Sequence, residues 1–386
     1  MLECIVSGTV LLMSSNLSDV RIPENLLPSD GRFGAGPSKV RRQQVDKVSQ
    51  LYQEVMGTSH RQEPVKTLVG SIREGFKDLY ALPDSWEVVI GNGGASLFWD
   101  AATFGLIRKR SEHLVFGEFS SKFASIVAQC PHLESPLVVQ TDPGQVPTCV
   151  PANVDAYCFT HNETSTGAIA TLERPKTPED AIVIVDATSA AGSMALPLDA
   201  VDVYYFSLQK GFGSDGGTWV ALCSERALER LQAIHMEKRW TPASLDLHLA
   251  LINSRSNQTY NTPSLATLIM LNEQLRWMLA NGGLAWCISR VSESSKTLYS
   301  WAQSNANTTP YIANPVNRSP VVGTIDLTGV DAVTVSQILR LNGIVDVDSY
   351  RKLERNQLRV SMFPSVEPTD VEKLTKCIDY VIGEIL

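Results

Sequence analysis

No stretch of this sequence stays apolar for the roughly twenty residues that a bilayer-spanning helix needs, so no membrane span is expected. The seven cysteines, at positions 4, 130, 149, 158, 223, 287 and 377, contain no CxxC pair and are odd in number. That pattern reads as reduced thiols of a cytoplasmic protein rather than a disulfide framework. The six histidines show neither HExxH nor any other metal-like spacing, so no metal site is expected. Basic charge is in the minority, 33 Lys and Arg against 41 Asp and Glu for a net charge of −8. No basic field gathers a polyanion, which argues against a nucleic-acid partner. What is present is ordinary for a globular chain: 44% apolar and 19% charged residues over 386 positions. That length suits a sizeable core and two domains, or one large domain with a smaller appendage.

Residues 4–13 (CIVSGTVLLM) resemble the apolar region of a signal peptide. Glu3 precedes them and no Lys or Arg occurs before Arg21, so the positive flank is missing. The chain up to residue 30 is therefore read as an extension without fixed structure, with Met13 as a candidate start. Beyond it, helical and β-rich patterns alternate. Val65, Leu68, Val69, Ile72, Phe76 and Leu79 share one helical face, and residues 38–55 show a similar stripe. Short β-rich runs follow at 88–90, 114–116, 157–159, 182–185, 203–206 and 219–222. The run Ile182-Val183-Ile184-Val185 is apolar on both faces, as suits the middle of a helix-covered, mostly parallel sheet. The alternation predicts an α/β fold. After Gly282-Gly283 comes a helix around 284–303 and a polar stretch at 304–320. Strand candidates at 321–327, 344–347 and 357–363 precede a last helix, with Thr369 and Glu372 spaced as a capping box. The expected division is a large domain over 31–282 and a smaller α+β domain over 283–386.

Three features could carry chemistry. Lys210 ends the run Val203 to Gln209 and enters the glycine-rich Gly211-Phe212-Gly213, where an α/β sheet presents ligands. Taken alone it reads more readily as a surface lysine after a strand. Asp186 ends the doubly buried run, where a carboxylate is costly unless something positive meets it; it could also simply cap the next helix. Gly91-Asn92-Gly93-Gly94-Ala95-Ser96 lies between a strand and a helix start, a setting for anion binding by backbone N–H groups, or a plain tight turn. Asp186 and Lys210 are separated by about one connection and one strand, so they could end neighbouring strands and share a crevice. A phosphate cradle, an aspartate and a lysine in this order are the parts that bind pyridoxal 5'-phosphate: the lysine through a Schiff base, the aspartate by keeping the pyridine nitrogen protonated.

The chain resembles the phosphoserine aminotransferases, class V members of the fold type I pyridoxal-phosphate enzymes, from about residue 31 to the end. The matching stretches are GRFGAGPSKV (31–40), GTSHRQ (57–62), GNGGAS (91–96), HNETSTG (161–167), VDATSAAG (185–192), SLQKGF (207–212), QTYNTPS (258–264) and NQLRVSMFP (356–364). Their wording is similar to the actinobacterial-type branch. The resemblance implies the pyridoxal-phosphate transferase fold, with a mostly parallel seven-stranded sheet in the large domain. It implies a homodimer with active sites shared across its interface, and transfer of an amino group between glutamate and 3-phosphohydroxypyruvate, in serine biosynthesis with pyridoxine biosynthesis as a second setting.

By the same resemblance Lys210 is the catalytic Schiff-base lysine and Asp186 the partner of the pyridine nitrogen. Thr164 and Thr188 approach the ring oxygen or the carboxylate, Phe119 stacks on the ring, and Gln209, Gly94, Ala95 and Ser96 hold the phosphate. Asn261 and Thr262 reach that phosphate from the second subunit. His60 and Arg61 bind the substrate phosphate, again across the dimer, and Arg359 clamps the α-carboxylate. Three positions depart from the common pattern. Ala95 stands where many members carry arginine, Phe119 where many carry tryptophan, and Tyr350-Arg351 aligns only loosely with a His-Arg pair, leaving Arg351 as a further substrate contact. Other readings remain. A serine–pyruvate or alanine–glyoxylate type transaminase would need little phosphate recognition, against His60-Arg61. A cysteine desulfurase would need a thiol on a mobile loop, whereas Cys287 and Cys377 lie in helical patterns. Ser207-Leu208-Gln209-Lys210 matches SxxK, but its serine ends a β-rich run and no Lys-Thr-Gly partner occurs. A non-enzymatic pyridoxal-phosphate-binding protein is a further possibility.

Overall fold

The computed structural model describes residues 20–176 and 180–386; the apolar segment at 4–13 lies outside them. Helices α1 (Arg42–Gln50), α2 (Tyr52–Val55) and α3 (Glu63–Tyr80) lead into strand β1 (Glu87–Asn92). Helix α4 (Ala95–Gly105), β2 (Ser111–Val115), α5 (Glu118–Ala128), β3 (Leu137–Gln140) and β4 (Ala156–Thr160) follow. A short hairpin, β5 (Asn162–Glu163) and β6 (Ala168–Ile169), precedes β7 (Ile182–Asp186), β8 (Val203–Ser207) and β9 (Thr218–Cys223). Helices α6 (Glu225–Met236), α7 (Leu247–Arg255) and α8 (Leu265–Ala280) complete the large unit.

Seven strands form one sheet in the order β1-β9-β8-β7-β4-β2-β3. Strand β9 is antiparallel to both β1 and β8, and the remaining pairs are parallel. The side-chain period of two divides each central strand between two cores. Val183 and Val185 of β7, with Tyr204 and Phe206 of β8, enter a cluster covered by α3 and α8. Ile182, Ile184, Val203 and Tyr205 enter the opposite cluster, covered by α4 to α7. Every residue of β7 and β8 is buried, which is why both read as continuous apolar runs. Strand β3 escaped the sequence reading because it is a half-exposed edge of only four residues.

Helix α9 (Gly283–Ser304), β10 (Thr308–Pro310), β11 (Val322–Leu327), α10 (Ala332–Leu341), β12 (Gln357–Ser361) and α11 (Pro368–Ile385) follow. They build a three-stranded antiparallel sheet with its own core. Four expectations differ here. Residues 344–347 form no strand: Val345 makes a single bridge to Arg32, and Asp348 another to Leu358. The polar stretch instead contains β10, an edge strand whose proline needs no ladder donor. No capping box forms at Thr369. The helix starts at Pro368 after Glu367, and Glu372 pairs with Lys376. Residues 20–30, read from sequence as part of the extension, are seated on this unit. The Ile22 amide donates to Asn342 Oδ1 (3.0 Å) and the Ser29 amide to Asp370 Oδ1 (2.7 Å).

Gly91 pairs with Trp219 across β1 and β9, and a methyl group at Gly91 would come within 2.1 Å of the indole ring. Gly91→Ala is expected to lower stability by about 1–3 kcal/mol through overpacking, read as an earlier midpoint in urea unfolding. An unchanged midpoint would show that the indole moves aside freely.

Candidate active site

Strand direction decides where chemistry can gather. Since β9 is antiparallel to both neighbours, β1 runs the same way as β7 and β8. The ends of β1, β7 and β8 therefore lie along one edge of the sheet, the carboxyl edge where α/β folds bind ligands. Asp186 ends β7 and is 4% exposed. Trp99 Nε1 donates to one of its oxygens (3.0 Å) and the Thr188 amide to the other (2.9 Å). Beyond Ser207, the end of β8, the chain turns through Gln209 to Lys210, which is 8% exposed. Lys210 Nζ donates to the Ala35 carbonyl at 2.5 Å. Burial pushes its pKa from 10.5 down to about 7; the Arg359 guanidinium pushes the same way, and Asp186 and Glu163 pull back. Among the described residues no ion pair joins Lys210 to a carboxylate. The amine thus lies within the electrostatic reach of Asp186 yet apart from it.

The surroundings contain polar atoms that lack partners. Thr188 Oγ1, Gln209 Oε1, Asn162 Oδ1 and Arg359 Nε are buried and unbonded within the protein. Gly94 precedes α4 with no side-chain cap; the Leu97 amide turns back to the Gly94 carbonyl, and the amides of Ala95 and Ser96 have no acceptor within the helix. A methyl group at Gly94 would meet only Ser207 Oγ, at 3.8 Å, so the cradle is open. Ser207 ends a strand and donates to the Thr218 carbonyl, a setting unlike the helix-opening serine of SxxK enzymes. An open, uncapped helix start, a buried carboxylate, a buried amine and unpartnered polar atoms on neighbouring residues fit pyridoxal phosphate.

Phe119 opens α5, with its ring 6.1 Å from Tyr350. Its amide donates to the carboxylate of Glu163, a residue that sequence reading quoted within a motif but gave no role. Thr164, the next residue, donates its hydroxyl to Ser189 Oγ (2.8 Å) and accepts Arg359 Nη1 at its carbonyl (3.3 Å). Arg359 points inward from β12 over the Tyr350 ring, 5.2 Å from its centroid. Arg351, by contrast, is exposed in a short turn, and Tyr350 is the residue of that pair that reaches the cluster. Trp99, Glu163 and Ala35 are the contributors that spacing gave no means to find, because each meets its partner only through the fold. Cys287 and Cys377 are fully buried in helices, and burial pushes the Cys287 thiol up to about 12, unlike a reactive nucleophile.

His60, Arg61, Asn261 and Thr262 form a second group. His60 Nδ1 and Thr262 Oγ1 are 3.1 Å apart, and Arg61 Nη1 donates to Gln258 Oε1 (2.9 Å). Asn92 Nδ2 donates to the Thr262 carbonyl, so this loop pair lies against the turn after β1. Partial burial, aided by Arg61, lowers the His60 pKa, and its Nε2 is buried without a partner. Within one chain, no hydrogen bond or ion pair among the described residues joins these four to Lys210 or Arg359.

The family profile described as "Aminotransferase class-V" matches residues 32–374. A putative phosphoserine aminotransferase of Mycobacterium leprae (strain TN) is 52% identical over 94% of this chain and 97% of its own length. The phosphoserine aminotransferase of Rhodococcus jostii (strain RHA1) is 52% identical over 94% of this chain and 98% of its own. Among solved structures, a phosphoserine aminotransferase from Cytophaga hutchinsonii superimposes with a TM-score of 0.84 at 23% identity, covering 91% of this chain and 99% of that one. The pyridoxal-phosphate-bound enzyme of Trichomonas vaginalis gives 0.80 at 21% identity, covering 91% and 99%. With a lysine and an aspartate at the carboxyl edge of such a sheet, and a profile match over most of its length, the chain belongs to the class-V aminotransferase family.

Proposed function

We propose that the chain uses pyridoxal phosphate to transfer an amino group reversibly between L-glutamate and 3-phosphohydroxypyruvate, giving 2-oxoglutarate and O-phospho-L-serine. The observation that carries this reading is Lys210, a buried amine just beyond the end of β8, held on the Ala35 carbonyl beside the strand that ends at Asp186 and in no ion pair among the described residues. The substrate class comes from the names of relatives about half identical over nearly the whole chain. A role in serine biosynthesis, a further one in pyridoxine biosynthesis, a cytoplasmic setting and a homodimer with shared active sites belong to the same proposal.

Bound pyridoxal phosphate supplies a carbonyl that exchanges amino groups and a ring that takes up an electron pair. Asp186 would hold a proton on the pyridine nitrogen; Trp99 and the Thr188 amide orient its oxygens for that task. The amides of Gly94, Ala95 and Ser96, with Gln209, would hold the phosphate; Phe119 would cover the ring, and Thr164 and Thr188 would meet its oxygen. Arg359 offers a planar fork to the α-carboxylate that both amino-acid substrates share. One nitrogen of that fork is anchored on the Thr164 carbonyl, which leaves the rest to bind. Lys210 Nζ, neutral for much of the time above pH 7, takes the proton from the substrate Cα. Two substrates using one site in turn imply ping-pong kinetics. In a dimer, His60 and Arg61 would meet the substrate phosphate or the glutamate side-chain carboxylate of the neighbouring site, with Asn261 and Thr262 on the cofactor phosphate. Arg351 is the remaining exposed cation that could help.

Gly36 constrains the amine. A methyl group there would lie 2.0 Å from Lys210 Nζ, on a backbone with φ +149° that side chains rarely adopt. Gly36→Ala is expected to lower kcat on the order of 100-fold while the protein stays folded, measured by steady-state kinetics beside circular dichroism. Lys210→Ala should abolish turnover and alter the visible absorbance of the resting enzyme; retained transamination would refute the assignment. In cofactor-free protein, the neutral form of Lys210 reacts with fluorodinitrobenzene. Because the folded pKa is depressed from 10.5 to about 7, labelling should rise as pH increases through about 7. A midpoint near 10 would mean that the amine is not desolvated. The substrate assignment is tested by following the cofactor spectrum on adding glutamate and then each keto acid. Reduction of the signal by glutamate without recovery on 3-phosphohydroxypyruvate would remove that substrate.

A further inference from the structure

Glu163 is fully buried, yet among the described residues it makes no ion pair with any lysine or arginine. Its carboxylate is instead ringed by donors. The Phe119 amide (3.1 Å), the Ser120 amide (2.9 Å) and the Ser120 hydroxyl (2.9 Å) meet one oxygen, and the Ser165 amide (3.2 Å) and hydroxyl (2.7 Å) meet the other. Three of these are backbone N–H groups, which cannot accept a hydrogen bond. The Ser165 hydroxyl also accepts from the Glu118 amide, so its own proton is free to face the carboxylate. Burial pushes the Glu163 carboxyl's pKa up, and the hydrogen bonds from the Ser120 and Ser165 groups oppose that push; the ionised form is the one that matches all five donors. The carboxylate also faces the start of α5, where the helix dipole favours negative charge. Space is reserved for it, since a methyl group at Gly117 would lie 2.3 Å from Glu163 Cγ.

The position of this carboxylate gives it a purpose beyond capping. On one side it fixes the backbone of Phe119. On the other it fixes the turn that carries Thr164, whose carbonyl anchors Arg359. The same turn is tied to the smaller unit through Thr324 Oγ1, which donates to the Thr166 carbonyl (2.7 Å), and through the Ser319 amide on the Gly167 carbonyl (2.9 Å). We propose that Glu163 is a positioning residue of the active site: as an ionised carboxylate it holds Phe119, Thr164 and Arg359 in one arrangement and supplies negative potential to Lys210. This rests on the aminotransferase reading of those residues. The charged groups bearing on Lys210 are Arg359 from β12, Asp186 from β7 and Glu163 from β5, and only the two carboxylates favour its ammonium form.

Glu163→Gln keeps the shape, removes the charge and sets an amide N–H₂ against the backbone donors. In cofactor-free protein, it should move the fluorodinitrobenzene labelling midpoint of Lys210 to lower pH, because one of the two charges that raise the lysine's pKa is gone. It should also weaken binding of pyridoxal phosphate, followed by tryptophan fluorescence, by ~10-fold, the size of effect expected when charge-assisted hydrogen bonds are lost. Glu163→Asp, which keeps the charge, should restore the midpoint. A folded Glu163→Gln protein in which either the midpoint or the cofactor affinity equals wild type overturns the inference. Should that variant fail to fold, Ser165→Ala removes one donor and leaves the carboxylate. A cofactor affinity weakened ~3-fold supports the proposal, and wild-type affinity overturns it. Wild-type protein that takes up no pyridoxal phosphate at Lys210 would overturn the aminotransferase reading as well, whereas normal wild-type uptake with indifferent Glu163 variants overturns the inference alone.

Discussion

A lysine amine taken out of water, with a carbonyl oxygen as its hydrogen-bond partner, is the constraint around which this molecule is arranged. Desolvation disfavours the ammonium form, and an ion pair with a carboxylate would restore it. Here Asp186 and Glu163 act from a distance while Arg359 opposes them, and burial brings the amine's pKa down from 10.5 to about 7. Bringing either carboxylate into contact would fix Lys210 as a cation, and removing both would leave it a neutral base. The hydrogen bonds that occupy Asp186 and Glu163 are part of the same arrangement, because they keep each acid engaged elsewhere.

The sheet makes that balance possible. One antiparallel strand, β9, inserted between β1 and β8, aligns the direction of β1 with the parallel strands. The glycine-rich turn after β1 then opens on the same edge as Asp186 and the turn to Lys210. The two faces of β7 and β8 are sealed by separate clusters of side chains, so the polar groups concentrate at the strand ends rather than within the layers.

Much of this was legible from sequence where a local pattern has a single structural use. The doubly apolar run at 182–185 could belong only to a covered central strand, and it marked the end at which Asp186 sits. The run into Lys210 was legible as a strand end and the stretch Gly91–Ser96 as a turn before a helix, but each pattern left a plain structural use open, and their chemical roles came from the family resemblance. Glu163 was not, because its meaning comes from the start of a helix more than forty residues earlier in the chain. Trp99 and Gly36 act on Asp186 and Lys210 through similar long-range approaches, which no spacing encodes. In the smaller unit, residues 344–347 have an apolar pattern that suits a strand, but their backbone meets the segment around Arg32 in a single bridge. His60, Arg61, Asn261 and Thr262 were found by family wording alone. The fold gathers them with one another while leaving them unconnected to their own Lys210.

The chain between Ile22 and Ser38 ties the smaller unit to the turn at Lys210. Ile22 and Ser29 are pinned to the helices of the smaller unit, and Phe33 is held on both sides, its amide on the Val345 carbonyl and its carbonyl by the Ser361 amide. Only Gly34 separates Phe33 from Ala35, whose carbonyl accepts the hydrogen bond from Lys210 Nζ. The oxygen that meets the amine is thus placed by backbone bonded to the smaller unit, so both units share in fixing the position of Lys210.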